Sequence, residues 1–153
     1  MKIKSKFKFK GVVTCKLYDL EGNLIEKKVY NNLVVNAFLF AHANLVADPA
    51  SSFTGTINYG AVGTNNASPT ITDTQLGTEL ARVVVDDVSV INNIASINFY
   101  FDPSTGNGNL KEFGAFVDGS ASLNSGVLFD RVNIDIAKTS LNSLIIQLDV
   151  TVS

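Results

Sequence analysis

The chain has very few of the side chains on which most catalytic and metal-binding sites depend. Its 153 residues include one cysteine (Cys15), one histidine (His42) and no tryptophan. One cysteine excludes an intrachain disulfide, and one cysteine with one histidine cannot form a zinc site of the Cys/His type. The sequence also lacks G-x-G-x-x-G and Gly-Lys-Ser/Thr motifs, so we predict no phosphate-binding loop.

Neither the cysteine nor the histidine has the neighbours that nucleophilic catalysis requires. A histidine base needs an orienting partner and a nearby nucleophile, and His42 lies inside an apolar segment, where a packed histidine is the simpler interpretation. Cys15 lies in a strand-like segment with no second histidine to activate it, so we interpret it as a packed thiol.

Acidic side chains are the remaining candidates for chemistry. Two carboxylates at a suitable separation suffice for glycoside hydrolysis, so an enzyme of an unrecognised type is kept as an alternative. Asp86 and Asp87 are adjacent, however, and in a strand they face opposite ways. Asp102, Asn107 and Asn109 are oxygen ligands of the kind that calcium accepts, but their spacing matches no standard calcium loop and favours a plain turn. We therefore expect no catalytic residues, no metal site and no cofactor.

Charged residues are sparse and unevenly distributed. They make up 17% of the chain, and residues 1–28 hold eight lysines against three acidic residues, whereas the remainder holds four basic against eleven acidic residues. A basic leading segment and an acidic body attract each other between copies, which favours head-to-tail assembly. Nucleic-acid binding is the competing interpretation, which we disfavour because stacking aromatics are absent from the lysine face and the acidic body repels phosphates.

Period-two alternation predicts a mainly β fold. In residues 1–10 the lysines fall on one face and Ile3, Phe7 and Phe9 on the other, as in a strand or arm. Residues 11–17 and 24–30 flank a turn at 19–23, and residues 82–91 and 94–101 flank Asn92-Asn93, so each set predicts a hairpin. Residues 131–136 and 144–152 alternate as a closing pair of strands. With a hydrophobic content of 46%, the chain predicts one domain over residues 1–153, an antiparallel β-sandwich of about eight strands.

One segment, residues 33–47, predicts a helix. Asn31-Asn32 offers an N-cap and Asp48-Pro49 a stop. Because apolar residues occur nearly all the way round, we expect a buried helix that plugs one end of the sheets or lies under a neighbouring subunit. The segment is too short and too interrupted by polar residues to cross a bilayer. We therefore expect no membrane partner, and because MKIKSKFKFK alternates we expect no signal peptide.

Three segments carry a resemblance to a known group of proteins. They are NNLVVNA at 31–37, INYGAVGTNNASPTITDTQLGTELAR at 57–82 and LKEFGAFVDGSASLNSGVLFDRV at 110–132. In this order they resemble a widespread group of tailed-bacteriophage structural proteins, over about residues 11–152. The chain departs from the group at Ala115, where Leu is favoured, at Asp130, where Ala is favoured, and at Ala37-Phe38, where Gly is common.

The resemblance implies a virion location and a non-enzymatic structural role in a tail, neck, baseplate, fibre base or capsid decoration. The partners are then copies of the chain and other virion proteins, and the expected interface is Lys2, Lys4, Lys6, Phe7, Lys8, Phe9 and Lys10. The motif residues with expected architectural roles are Asn32, Gly63, Leu76, Glu79, Arg82, Phe113, Gly114, Phe129 and Arg131. Among them the arginines are expected to anchor acidic groups or carbonyls, with Glu79 and Arg82 as a local ion pair.

A second functional hypothesis is a carbohydrate- or receptor-binding module at a tail tip. The Asn- and Thr-rich segments 48–56 and 64–74 would then form the binding loops. Glycan binding is therefore kept as an alternative to self-assembly.

Overall fold

The computed structural model describes residues 7–153. Residues 1–6 of the strand expected for residues 1–10 lie outside the described residues. They include Lys2, Lys4 and Lys6 of the expected interface. The elements are β1 (Phe9–Tyr18), β2 (Leu24–Asn31), β3 (Leu33–Val34), α1 (Asn36–Ala47), β4 (Ile57–Gly63), β5 (Glu79–Ile91), β6 (Ile94–Phe101), β7 (Gly108–Val117), β8 (Val127–Lys138) and β9 (Ser143–Val152).

The strands follow one continuous order, β2-β1-β9-β6-β5-β4-β7-β8-β3. The long strand β5 belongs to two sheets, because residues 79–84 pair with β4 and residues 85–91 pair with β6. A register irregularity between Val85 and Asp87 lies at the start of the second half of the strand. Bulges of this kind bend a strand and increase its twist. We call β2-β1-β9-β6-β5 the first sheet and β5-β4-β7-β8-β3 the second sheet. The expected mainly β antiparallel fold is confirmed.

The core lies between the inner faces of the two sheets. Along β9, buried and half-buried residues alternate, as expected of strands that cover a core with one face only. Phe99 and Phe101 of β6 meet the second sheet, and the ring centroids of Phe99 and Phe113 are 5.6 Å apart. Both predicted hairpins are present, and Asn92 has the positive φ (54°) that its tight turn requires.

The helix differs from the prediction in its start and in its burial. Leu33 and Val34 form β3 and pair with β8, so α1 begins at Asn36, with Val35 at the N-cap position and no side-chain cap. Only Phe38 of the helix is buried, whereas Phe40 is 67% and Val46 77% exposed. The expectation of a helix buried on most sides was therefore wrong for the single chain.

The last two strands also differ from the prediction, because they do not pair with each other. β8 lies between β7 and β3 in the second sheet, and β9 lies between β1 and β6 in the first. A turn closed by a hydrogen bond from the Asn142 N–H to the Thr139 carbonyl oxygen connects them. The chain therefore crosses from one sheet to the other at this turn.

Candidate functional site

Arg82 anchors a loop to the start of β5. Its Nε and Nη2 donate to the two carboxylate oxygens of Glu79 at 2.6 and 2.9 Å. Its Nη1 donates to the carbonyl oxygens of Ser120 and Ser125, each at 3.0 Å. The guanidinium also lies 4.6 Å from the ring centroid of Phe116. This bidentate and stacked geometry is specific to arginine, and it leaves the pair no free group for a substrate.

Arg131 forms a second clamp, centred on Glu112. Its Nε donates to Glu112 at 2.9 Å, and its Nη1 donates to Asp73 at 2.8 Å. Glu112 is fully buried and also accepts hydrogen bonds from the backbone N–H groups of residues 77 and 78, at 2.8 and 2.7 Å. The clamp ties residues 64–78 to β7 and β8. Because all these groups are mutually satisfied, they are structural and not a cleft of free carboxylates.

The other motif residues fill the core or permit close approach of chain segments. Leu76, Phe113 and Phe129 are buried. A Cβ atom at Gly63 would lie 2.4 Å from the carbonyl oxygen of Thr78, and one at Gly114 would lie 2.9 Å from the carbonyl oxygen of Asp130. Neither glycine has positive φ, so the requirement is for space and not for an unusual backbone conformation.

Asp130, at a position where the resembling phage group favours Ala, joins β8 to β7 and to Asn32. It is fully buried and accepts hydrogen bonds from the Ala115 N–H at 2.9 Å and from the side-chain amide of Asn32. Burial raises the pKa of this carboxyl to about 7. The Asn32 N–H donates to the Gly11 carbonyl oxygen of β1. Asn32 therefore links the first sheet to the second and does not cap α1.

An aromatic cluster joins the start of β1 to α1. The ring centroids of Phe9 and Phe38 are 5.0 Å apart, those of Phe38 and Phe129 are 4.7 Å apart, and His42 lies 5.5 Å from Phe9. Phe9 thus packs within its own chain. Phe7 is exposed beside it, and Lys8 and Lys10 are also exposed. Of the expected interface residues that the structure describes, these three are accessible to a partner.

A groove opens beside the second half of β5. It has a volume of about 340 Å³, and Phe38, Ile97 and Phe129 lie among its lining residues. Residues 55–57 form one wall and residues 88–90 of β5 form the other. Among residues 7–153, no strand pairs with the edge of residues 85–91 that faces away from β6. The groove is therefore apolar and is bordered by an unpaired strand edge.

The remaining candidates for chemistry are occupied by structural contacts. Burial raises the pKa of the Cys15 thiol to about 12, so the thiolate nucleophile is strongly disfavoured. Asp102 accepts from the Ser104 N–H at 2.8 Å, and Asn107 accepts from the Lys138 ammonium at 2.8 Å.

Residues 7–153 contain neither a metal-binding cluster nor a membrane-spanning helix. No group of three or more His, Cys, Asp or Glu side chains is arranged there to hold a metal ion. No helix in that range is long and apolar enough to cross a membrane.

Comparison with known proteins returned no similar protein: no family profile, no curated sequence and no solved structure matches the chain.

Proposed function

We propose that the chain is a non-enzymatic structural subunit of a phage particle, in a tail, neck, baseplate, fibre base or capsid decoration. It acts by binding copies of itself and other virion proteins. The virion location draws its support from the three resembling segments at 31–37, 57–82 and 110–132. The interaction role draws its support from the surface of the molecule.

The observation that carries the interaction role is the exposed apolar side of α1. Leu39, Phe40, Leu45 and Val46 are all exposed in the single chain. A helix with apolar residues around its whole circumference is stable in water only when most of that circumference is covered. One side of α1 packs on its own chain through Phe38. The exposed residues spread over the rest of the circumference, with Phe40 nearly opposite Phe38 and with Leu39 and Val46 about a quarter turn from it, so this surface needs a partner.

The internal polar network supports a structural role over a catalytic one. Both arginines, with Glu79, Glu112 and Asp73, hold loops against the sheets. A scaffold of this kind fixes the shape of a subunit and leaves its outer faces free for contacts. The low charge content also supports a role in assembly, because sparsely charged surfaces do little to keep neighbouring molecules apart.

Carbohydrate binding is the alternative function. The hydrogen bonds within the polar loop of residues 64–74 support it less than they support a structural role. In residues 64–74, the Asn65 side chain accepts from the Ala67 N–H at 2.7 Å, and the Thr70 hydroxyl donates to Asp73 at 2.7 Å. These groups are therefore already engaged within the loop. A glycan array tests the alternative directly. Binding that is lost when residues 48–56 and 64–74 are replaced would favour it over self-assembly.

The helix surface can be tested with a matched pair of variants. Phe40→Ser/Val46→Ser changes exposed residues of α1, and Leu20→Ser/Leu141→Ser changes exposed apolar residues in turns away from α1. All four substitutions are at the surface, so we expect each to change the free energy of unfolding by no more than about 0.5 kcal/mol. The helix variant should lose binding to itself and to particle proteins, and the control should retain it. Equal behaviour of the two variants contradicts the interaction role of α1.

The virion location needs a separate experiment. Particles from a culture that expresses the chain are banded on a density gradient and their proteins are quantified by mass spectrometry. The proposal predicts the chain in the particle band at a copy number that is a multiple of the particle symmetry. Recovery only in the unbanded protein fraction contradicts the virion location.

A further inference from the structure

Among residues 7–153, no strand pairs with the second half of β5 on the side away from β6. Residues 85–91 pair with β6 on one side, and the pairing of β5 with β4 ends at Val84. The backbone N–H and C=O groups on the other side are available to an added strand. Seven residues of edge are long enough to accept an arm of about six residues, since each residue of a strand advances by about 3.3 Å.

The side chains beside this edge belong to the inner face of the first sheet. Val88 lies opposite Ile97, Ile97 opposite Leu148 and Leu148 opposite Val13, so these four form one row across the sheet. Val13 and Leu148 are fully buried and Ile97 nearly so, but Val88 is 59% exposed and Val90, two residues on, is 71% exposed. The core face is thus left uncovered where the row reaches β5.

The outer face of the same edge carries acidic charge. Asp87 lies opposite Asn98 in the register of β5 and β6, on the face away from Val88. Asp86 is the extra residue of the register irregularity, so the strict alternation expected of two adjacent residues is interrupted there, and both aspartates are exposed. An added strand that fits this edge therefore needs apolar side chains on its inner face and positive side chains on its outer face.

The first residues of this chain have that pattern. In MKIKSKFK, Lys2, Lys4 and Lys6 alternate with Ile3, Ser5 and Phe7. When such a segment is extended, the lysines share one face and the apolar residues the other. An added strand with this pattern would place its apolar face in the groove of about 340 Å³ and its lysine face beside Asp86 and Asp87.

We propose that residues 1–6 of one copy add as a strand to β5 residues 85–91 of a second copy, with Met1 and Ile3 in the groove and the lysines beside Asp86 and Asp87. This proposal rests on the proposed assembly role and names one of its contacts. It differs from the α1 surface, which lies on another element, so each contact can fail without the other. Because the arm and the edge are different parts of the chain, the contact is heterologous and generates a ring or a filament.

A charge-exchange experiment on the full chain tests the contact. Lys4→Glu/Lys6→Glu changes the arm, and Asp86→Lys/Asp87→Lys changes the edge. We expect each variant to weaken self-association roughly ten- to a hundredfold at low salt, as measured by sedimentation velocity, and less at high salt. All four substitutions in one chain should restore association, and so should a mixture of the arm variant with the edge variant. Lys16→Glu/Lys27→Glu on the β1–β2 hairpin is the matched charge control and should leave association unchanged.

The outcomes separate this contact from the assembly role. If the arm and edge variants associate as tightly as the wild type, the strand addition is wrong, but association through α1 still stands. If the arm and edge variants lose self-association, and neither the variant with all four substitutions nor the mixture restores it, the charges do not face each other and the proposal is overturned. If residues 1–6 dock on the edge of their own chain, the substitutions leave the oligomer unchanged, which also overturns it.

Discussion

Asp130 makes the stability of this protein depend on pH in an unusual direction. Burial raises the pKa of its carboxyl from 3.8 to about 7, so between these values the folded chain binds a proton that the unfolded chain releases. The stabilisation from protonation is complete below pH 4 and is lost as the pH rises to 7. About three pKa units correspond to on the order of 4 kcal/mol, since each unit is about 1.36 kcal/mol.

The matched variant is Asp130→Asn, which has a neutral side chain at every pH. Its carbonyl oxygen can still accept the hydrogen bond from the Ala115 N–H that Asp130 accepts at 2.9 Å. We expect the free energy of unfolding of the wild type, relative to Asp130→Asn, to fall by on the order of 4 kcal/mol from pH 4 to pH 8. Urea unfolding of both proteins at unit steps of pH measures this difference. Other carboxylates, such as Asp73, have lowered pKa values, and they cancel in the comparison.

A difference between the two proteins that is constant with pH would refute this reasoning, because Asp130 would then keep the same charge in the folded and unfolded chains. A difference that grows in favour of the wild type as the pH rises would refute it more strongly. That result means that the folded protein stabilises the ionised carboxylate through Asn32 and the Ala115 N–H.

Two further predictions concern the clamps and the thiol. Arg131→Ala leaves the buried Glu112 carboxylate without its cation, so we expect a loss of about 3–5 kcal/mol in urea unfolding; a loss below 1 kcal/mol contradicts the clamp. Cys15 should react with a thiol reagent at pH 8 only after denaturant is added, because burial raises its pKa to about 12; rapid labelling of the native protein contradicts its packing.

The strands were predictable because their signals are local. In β9 apolar and polar residues alternate from Ile146 to Val152, and Asn92-Asn93 is a recognisable two-residue turn between β5 and β6. Which strands pair with each other was harder to predict from the sequence. Nothing in residues 139–142 indicates that the chain crosses between sheets there. β5 changes its partner from β4 to β6 near the irregularity between Val85 and Asp87, and no local sequence signal marks that position.

The start of the helix was mispredicted because a distant residue competes for Asn32. Asparagine before an apolar run is a good N-cap, but the Asn32 amide binds Asp130, which is far away in the sequence. The same holds for the clamp at Glu112, because its donors are the backbone N–H groups of residues 77 and 78 and the guanidinium of Arg131, which are far from each other in the sequence. By contrast, the pair of Glu79 and Arg82 is close in sequence, and it was expected.

Sedimentation velocity of the full chain over a series of concentrations tests most directly whether this protein acts by assembly. We predict a discrete oligomer that dissociates on dilution. Phe40→Ser/Val46→Ser should shift it to lower mass, and Leu20→Ser/Leu141→Ser should not. A single monomeric species at every concentration, with the exposed side of α1 left in water, contradicts the proposed role.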